Sequence, residues 1–396
     1  RGGASMSSLH RAMGGLKLFC KSRPGESRRQ FESPNWSLEE HGVSPRINPI
    51  PTSAMQGDLD EYRRVRPRGI CRPMLSGISS RRGHEGFFVT DAPSPVWEEM
   101  GPSLQRRVSR VITRDYDRVS QVWDGSFVPA TDAIRHQILD MAELEPGERV
   151  LDVGTGTGAA ALLAAKRVGK MGRVLGIDMS AAMLAKARAK ASRSDLTNIT
   201  FRRMDASALQ LPIGSFDVIV SSFGTPEGVY DGEAVFRDWL RVLRSGGRLC
   251  FAESPGLTSF YATLRRLLEK HKVENPSPAW AERRRLWEEG REERRRKPPI
   301  SGDEPATVVR LMKAAGFCDV RVRQRRSHVL LPSTRTILRL FLHWDIADEY
   351  AEMSPVVRAA FRRDLLRAVR RYEAPDGVRL PSQTNFFFGR KRAGGA

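Results

Sequence analysis

Short apolar runs alternate with amphipathic stretches between residues 149 and 253, and this alternation is the clearest pattern in the chain. Each apolar run predicts a buried strand, and the stretches between several of them carry apolar residues at helical spacing. Strands that alternate with helices predict a parallel sheet covered by helices on both faces. The five predicted strands lie within residues 149–153, 172–178, 199–205, 215–223 and 248–253.

Glycines and acids stand where these strands end. Asp152 precedes a turn with three alternating glycines at 154–158, and Asp178 and Asp205 close the next two strands. Glycine is needed where the backbone takes positive φ or where a ligand must reach the main chain at a helix N-terminus. The pattern also fits the looser dinucleotide fingerprint, so the turn alone does not separate NAD from other adenosine ligands. An acid about 20 residues after such a turn is placed to accept both ribose hydroxyls.

In this order and spacing the motifs resemble the S-adenosylmethionine-dependent class I methyltransferases, and especially the UbiE-like branch of quinone-biosynthesis C-methyltransferases. The resemblance runs from about Thr113 to Lys391. It implies an α/β, Rossmann-like class I methyltransferase fold: a mostly parallel seven-stranded sheet with helices on both faces, an antiparallel last strand and helical lid insertions. It implies S-adenosylmethionine as cofactor. The segments that carry it are 151–158, 176–180, 205–206, 216–224 and the turn before Arg248.

The resemblance also implies how the cofactor is held. Asp152 and the glycine turn would hold the methionine tail, Asp178 the ribose and Asp205 the adenine amino group, with Met179 packed on the adenine. Ser221 would border the tail and the transferring methyl. The full expected set is Asp152, Gly154, Thr155, Gly156, Gly158, Asp178, Met179, Asp205, Ala206, Ser221 and Tyr116.

Several of these residues have a structural alternative. Asp205 would also suit a cap on a following helix, Met179 a place in the core, and Tyr116 packing against Trp123 within a helix. Ahead of the glycine turn, apolar residues at helical spacing between 131 and 142 predict a helix that delivers the chain to the first strand.

Methyl transfer is an in-line displacement from sulfur, so no protein nucleophile is required and a base is needed only if the acceptor must lose a proton. Two candidate bases follow from position. Glu253 ends the fifth strand, on the edge where open parallel sheets bind ligands. His343 lies on an apolar face, where a packed and satisfied histidine is the alternative reading.

The second half of the domain is predicted to be helical between its strands. Residues 258–297 have the alternating charges of a solvated helix, and residues 303–315 form a helix with a glycine stop. Residues 318–331 begin the sixth strand, and 385–390 form the last. Many relatives join these two strands by a short hairpin, so we expect the helical insertion 333–372 to be a substrate lid.

The chain divides into four predicted parts. Residues 1–95 lack periodicity and are rich in Ser, Arg, Gly and Pro, so we expect a disordered or mis-translated extension, with Met100 just ahead of the recognisable domain. Residues 96–145 would form an N-terminal helical cap and 146–257 the cofactor-binding core. Residues 258–396 would supply the helical insertions and the strands that complete the sheet.

The chain has 66 Lys and Arg against 46 Asp and Glu, a net charge of +20. This excess would attract anionic partners, and the basic segment 361–371 would suit an anionic membrane surface. Biased composition is the favoured explanation of the charge, because the arginines are scattered. No apolar run approaches the 18 residues of a membrane span. Four cysteines show neither metal nor disulfide spacing, so we expect a cytoplasmic protein without a metal.

We therefore expect a methyltransferase that acts on a small-molecule acceptor by C- or O-methylation, with a quinone or a lipid-like molecule as examples. One alternative is an RNA methyltransferase, which would explain the charge. Residues 221–224 do not supply the Asn-Pro-Pro-Tyr-like element that presents amide and aromatic groups to a flipped base, so we expect no nucleic-acid partner. A non-catalytic protein that binds S-adenosylmethionine is the other alternative. The acceptor and the oligomeric state stay open.

Overall fold

The computed structural model describes residues 103–226, 230–254, 258–344 and 346–394. These residues form one eight-stranded sheet with helices packed on it. In chain order the strands are β1 Arg149–Val153, β2 Arg173–Asp178, β3 Ile199–Arg203, β4 Phe216–Ser222, β5 Leu243–Glu253, β6 Cys318–Leu331, β7 Glu373–Ala374 and β8 Gly377–Arg390. Their order across the sheet is β3-β2-β1-β4-β5-β8-β6, and the short β7 pairs with β8.

Twelve α-helices lie in the described ranges. The first six are α1 Leu104–Trp123, α2 Phe127–Ala130, α3 Asp132–Met141, α4 Ala159–Val168, α5 Ala181–Ser192 and α6 Gly232–Val242. The other six are α7 Thr258–Lys270, α8 Pro278–Arg296, α9 Pro305–Ala314, α10 Thr334–His343, α11 Ala347–Glu352 and α12 Pro355–Val369, followed by a 3₁₀ turn at Arg370–Tyr372.

Strands β1 to β5 run parallel, and β8 runs antiparallel between β5 and β6. Val150 of β1 pairs with Val174 on one side and Val218 on the other. In the sheet, β2 and β3 lie on one side of β1, whereas β4 and β5 lie on its other side. The direction in which successive strands are added therefore reverses between β1 and β4. The predicted fold class is therefore confirmed, and β7 is a small addition that the sequence pattern did not predict.

The sheet carries an apolar layer on each face. Val150 faces a cluster that includes residues of α3, α4 and α5, whereas Leu151 and Val153 face a cluster with α6 and α9. Both faces are thus buried, which explains why these strands read as continuous apolar runs. The layers fix the strand ends rigidly, and the site is built on those ends.

Three element boundaries differ by several residues from the predictions. Strand β5 begins at Leu243 rather than at 248, so the predicted Gly-Gly turn lies within it. The single helix expected over 258–297 is two helices, because Pro276 and Pro278 interrupt it and the Ser277 hydroxyl accepts a hydrogen bond from the Trp280 amide at 3.3 Å to start α8. The last strand begins at Gly377 rather than at 385, because β6 pairs with β8 along its full length to Leu331.

The predicted insertion 333–372 is helical and contains α10, α11 and α12. Its apolar side chains form a third cluster with α7 and the far ends of β6 and β8. Among the largest buried members are Phe260, Phe341 and Phe361. The insertion is therefore packed on the sheet through a core of its own.

The predicted extension 1–95 lies outside the described residues. In the ranges that are described, no helix combines the length and the apolar character needed to cross a bilayer.

Candidate active site

A cavity of about 1120 Å³, including its open mouth, lies at the carboxyl ends of β1, β2 and β4. This is the reversal point of the strand order, where open α/β sheets bind ligands. Its walls come from the glycine turn, the ends of β2 and β3, helices α1 and α2 and the loop after β4.

The glycine turn forms the floor of the cavity. Gly154 has φ +65°, and a Cβ there would lie 2.3 Å from the Cα of Gly224 in the loop after β4. Gly156 has φ +55°, and the nearest atom to a Cβ there would be Nε1 of Trp123 at 3.9 Å. Gly154 thus permits close packing of two loops, and Gly156 keeps the floor clear of side chains. Gly158 does not line the cavity.

Asp152 is a buried carboxylate at the end of β1. The Thr155 hydroxyl donates to its Oδ2 at 2.7 Å, and both residues line the cavity. Burial raises the pKa of the Asp152 carboxyl to about 7, against the hydrogen bond from Thr155. A buried carboxylate with one hydroxyl donor is suited to meet a cationic group of a ligand.

Asp178 ends β2 and is oriented by the backbone. Its Oδ2 accepts from the Gly156 amide at 2.8 Å, and its Oδ1 accepts from the Ser180 amide at 2.8 Å. Burial raises the pKa of the Asp178 carboxyl, while these backbone donors act in the opposite direction. A carboxylate accepts about four hydrogen bonds in all, so its oxygens retain the capacity to bind a diol.

The segment after β3 supplies the next wall. Asp205 lines the cavity, and its Oδ1 accepts from the amide and the hydroxyl of Ser207 at 2.8 and 2.7 Å. No helix follows Asp205 before β4, so the helix-cap alternative is wrong. The Ala206 carbonyl accepts from the Trp239 indole at 2.8 Å, which fixes this segment to α6. Met179 also lines the cavity.

Helix α1 covers the cavity and is fixed to the start of α5. Oδ1 of Asp117 accepts from the Ser180 hydroxyl at 2.5 Å and from the Ala182 amide at 3.2 Å. This places the neighbouring Tyr116 in the cavity wall. The sequence placed Tyr116 over the cofactor, and the structure brings it to the same cavity as Asp178.

Aromatic rings make up part of the cavity wall. The rings of Trp123 and Phe127 are 4.4 Å apart, and Phe127 meets Phe223 edge to face at 6.0 Å. Phe223 has φ +58°, an uncommon conformation for a bulky residue. Trp344 of the insertion stands behind this wall and contacts Tyr116, Trp123 and Phe127.

Besides Gly158, three predicted site residues do not line the cavity, namely Ser221, Glu253 and His343. Ser221 is fully buried, and its hydroxyl donates to the Val153 carbonyl of the neighbouring β1 at 2.8 Å. Glu253 lies behind Thr225 and accepts from the hydroxyl and amide of that residue at 2.6 and 3.3 Å.

His343 is exposed, with its Nδ1 2.7 Å from the Arg339 carbonyl one turn earlier. The next residue, Trp344, turns toward the cavity instead. The expectation that Glu253 and His343 face the acceptor is therefore corrected: the first supports the loop after β4, and the second faces solvent.

Some cavity residues were missed by the sequence reasoning. Phe223 and Gly224 follow β4 directly, and the rule that ligands bind at the carboxyl edge of a parallel sheet would have found them. Phe127 and Arg135 reach the cavity because α2 and α3 fold back across it, and no motif in the sequence signals this.

The donor set and shape fit S-adenosylmethionine. Carboxylates at three adjacent strand ends line the cavity, and a Cβ at Gly156 would project into its open space. These match the ammonium, diol and adenine amino groups of that cofactor. Within the described ranges, no three His, Cys, Asp or Glu side chains converge as metal ligands.

The chain is similar to known methyltransferases. Residues 144–297 match a family model described as a methyltransferase domain. Over 143 residues the chain is 34% identical to aklanonic acid methyltransferase DauC of Streptomyces sp. (strain C5), covering 35% of this chain and 63% of that protein. Over 293 residues it is 26% identical to nocamycin O-methyltransferase of Saccharothrix syringae, covering 71% of this chain and 98% of that protein.

A third relative is the ubiquinone/menaquinone biosynthesis C-methyltransferase UbiE of Xanthomonas oryzae pv. oryzae (strain MAFF 311018), 33% identical over 159 residues, with 39% of this chain and 61% of that protein covered. The matches with DauC and UbiE thus span less than two thirds of those proteins. The strand order agrees with the expected fold. Residues 144–297 are therefore similar to a methyltransferase domain, and the sheet they contribute to has the strand order predicted for the class I fold.

Proposed function

We propose that this protein transfers a methyl group from S-adenosylmethionine to a small-molecule acceptor. The observation that carries the proposal is the convergence of Asp152, Asp178 and Asp205 on one cavity above a floor kept clear at Gly156. When bound, the cofactor supplies an electrophilic methyl group on a sulfonium. The chain itself would bind and orient the cofactor and the acceptor, and would exclude water from the site.

Each carboxylate has a proposed partner in the cofactor. Asp152, buried and held by Thr155, would bind the ammonium group, and Asp178, oriented by two backbone amides, would bind the ribose diol. Asp205 would accept from the adenine amino group, with Met179 against the ring. The support for these roles is position along the cavity and the hydrogen-bonding capacity that each group retains.

The acceptor that suits this cavity is flat and apolar. Tyr116, Trp123, Phe127 and Phe223 line the cavity, and aromatic side chains favour stacked or edge-to-face contact with planar rings. A dry, oriented encounter is worth roughly 7–11 kcal/mol of a bimolecular barrier. The relatives are named for aklanonic acid, nocamycin and quinone biosynthesis, which supports C- or O-methylation of a small molecule. The UbiE-like branch is one of several that fit.

We also propose that the insertion 333–372 acts as the lid of this cavity. Leu340 packs with Val119 and Met183, and Trp344 backs the aromatic wall. The insertion therefore touches the elements that an acceptor would displace or order. Hydrogen exchange measured across 333–372, with and without cofactor product and acceptor, tests this role; unchanged exchange would argue against a lid.

The function is tested by two measurements on the full chain. Calorimetric titration with S-adenosylhomocysteine should show binding that Asp178→Ala weakens strongly. Labelled methyl from S-adenosylmethionine should then appear on at least one member of a panel of hydroxyanthraquinones and hydroxynaphthoquinones. Absence of any binding would overturn the cofactor assignment.

The same assay separates the alternatives. Bulk tRNA and ribosomal RNA are included as acceptors, and label on RNA alone would favour an RNA methyltransferase. Tight binding of S-adenosylhomocysteine with no transfer to either class would favour a non-catalytic binding protein.

A further inference from the structure

Arg135 is a buried cation in the cavity wall that the cofactor motifs do not explain. It lies in the first turns of α3, is 4% exposed and lines the cavity together with Val128 and Asp152. Arginine is rarely buried without partners, so its hydrogen bonds decide whether it serves the fold alone.

The guanidinium is only partly satisfied. Nη1 donates to the Thr131 hydroxyl at 2.8 Å, and Nη2 donates to the Val128 carbonyl and to Asp132 at 3.1 Å. Nε is buried and has no hydrogen-bond partner in the part of the chain that the structure describes. An unmet buried donor is costly, and this one belongs to a side chain that faces a ligand cavity.

The charge of Arg135 is also incompletely balanced. Asp132, its one ion-pair partner in the described residues, is more than half exposed, so solvent weakens that attraction. Burial lowers the pKa of Arg135, whereas Asp132, Asp152 and Asp124 act to raise it. One end of the cavity thus contains a buried cation and a buried carboxylate, the arrangement that a zwitterionic group requires.

We propose that Arg135 binds the carboxylate of the cofactor's amino-acid tail while Asp152 binds its ammonium group. The inference rests on the proposed function and deepens it by naming the residue that recognises the charged tail. A guanidinium suits this role because its planar donors match a carboxylate. The competing explanation is that Arg135 only joins α2 to α3 through Val128 and Thr131.

The test uses two probes on the full chain. One is S-adenosylhomocysteine, and the other is the aminopropyl thioether of adenosine, which is the same molecule without its carboxyl group. Titration calorimetry gives the affinity of both probes for the native protein, for Arg135→Gln and for Thr131→Val. Thr131→Val removes a structural partner of Arg135 and leaves the guanidinium in place.

We expect Arg135→Gln to weaken S-adenosylhomocysteine binding on the order of 10- to 100-fold, as loss of a charge-assisted pair predicts, and to leave the decarboxylated probe unaffected. The native protein should prefer S-adenosylhomocysteine by a similar factor, and that preference should vanish in the variant. Thr131→Val should retain it. If Arg135→Gln does not fold, Arg135→Lys should keep the charge and still reduce the preference.

Equal weakening of both probes by Arg135→Gln would assign the residue to folding alone and overturn the inference. Unchanged affinity for S-adenosylhomocysteine would overturn it as well. Failure of the native protein to bind either probe would instead refute the proposed function.

Discussion

Gly156 combines a left-handed backbone with a position under the open part of the cavity. A valine there would pay about 1–2 kcal/mol for positive φ and would project toward Trp123 into the space proposed for the cofactor. We expect Gly156→Val to reduce the affinity for S-adenosylhomocysteine at least about tenfold, equivalent to 1.4 kcal/mol, in a chain that still folds. Calorimetric titration measures the affinity, and circular dichroism the fold.

Gly214 offers a matched control. Its φ is +66°, and a Cβ there would lie 3.8 Å from the Cα of Arg244. Gly214 does not line the cavity. Gly214→Val therefore introduces comparable backbone strain without blocking the floor. A similar loss of affinity in both variants would show that backbone strain, rather than occupation of the site, explains the effect of Gly156→Val.

Asp152 predicts a pH dependence of stability. Burial raises the pKa of its carboxyl to about 7, above the unfolded value of about 3.9. The folded state thus binds this proton more tightly, and its contribution to stability is full below pH 4 and is lost as the pH rises through 7. In the ligand-free protein, Asp152→Asn removes this loss.

The free energy of unfolding, from urea titrations between pH 4 and 8, should therefore fall with pH in the native protein relative to Asp152→Asn. If the free energies of unfolding of the two proteins change with pH in parallel over this range, the pKa of the Asp152 carboxyl is not raised in the folded state.

For single residues, the sequence correctly predicts that the acidic side chains at strand ends reach the cavity. It does not predict which of two neighbouring serines at the end of β4 does so. Asp152, Asp178 and Asp205 reach the cavity as expected, because strand ends of a parallel sheet share one edge. Ser221 turns into the sheet although Ser222 lines the cavity. Neighbouring side chains in a strand point in opposite directions, and two identical residue types in sequence do not indicate which one faces the cavity.

Among the elements, a buried ionic network joins α1 to α8 and to the insertion. Asp115 of α1 is fully buried and accepts from Arg283 of α8 at 2.6 Å and from Arg118 at 3.0 Å. Both arginines also pair with Asp348 of α11. The helix that covers the cavity and the proposed lid are thereby held through the same guanidinium groups.

Removal of Asp115 should loosen this connection. Breaking one partner of a buried pair costs roughly 3–5 kcal/mol, and we expect Asp115→Ala to lower the free energy of unfolding by about 3 kcal/mol, toward the lower end because Asp348 remains. Hydrogen exchange should quicken in 104–123 and 333–372.

Glu282→Ala is the control on α8. Its ion pairs with Arg285 and, at 3.8 Å, with Arg107 of α1 are partly exposed to solvent. The free energy of unfolding should therefore change much less than in Asp115→Ala. Equal effects of the two variants would mean that the Asp115 network contributes no more than a surface pair.

The order and type of most elements follow from the sequence, because strands buried on both faces read as apolar runs and helices as periodic ones. The extent of β8 does not, since residues 377–384 are strand only through their pairing with β6. The break between α7 and α8 could have been read from Pro276 and Pro278. The placement of α2 over the cavity could not, because tertiary packing determines it.

For the whole molecule, the site belongs to one contiguous part of the chain. Of the described residues, those that line the cavity fall between Gln105 and Tyr230, and the sheet that supports them is complete by Arg390. A fragment of residues 100–396 should therefore fold and bind S-adenosylhomocysteine with the affinity of the full chain, as expected of a domain with its own core. Calorimetry on both proteins checks this. Markedly weaker binding by the fragment would assign residues 1–99 a part in the site.

The contact between Gly154 and Gly224 separates what this protein can vary from what it must keep. A methyl group on either would press against the main chain of the other or of Val153. A side chain therefore cannot be added to one loop without a shift of the other. Substitutions that change the proposed acceptor would therefore have to be made at Phe223, at Thr225 or in the covering helices. The two glycines and the proposed cofactor site beside them would remain unchanged.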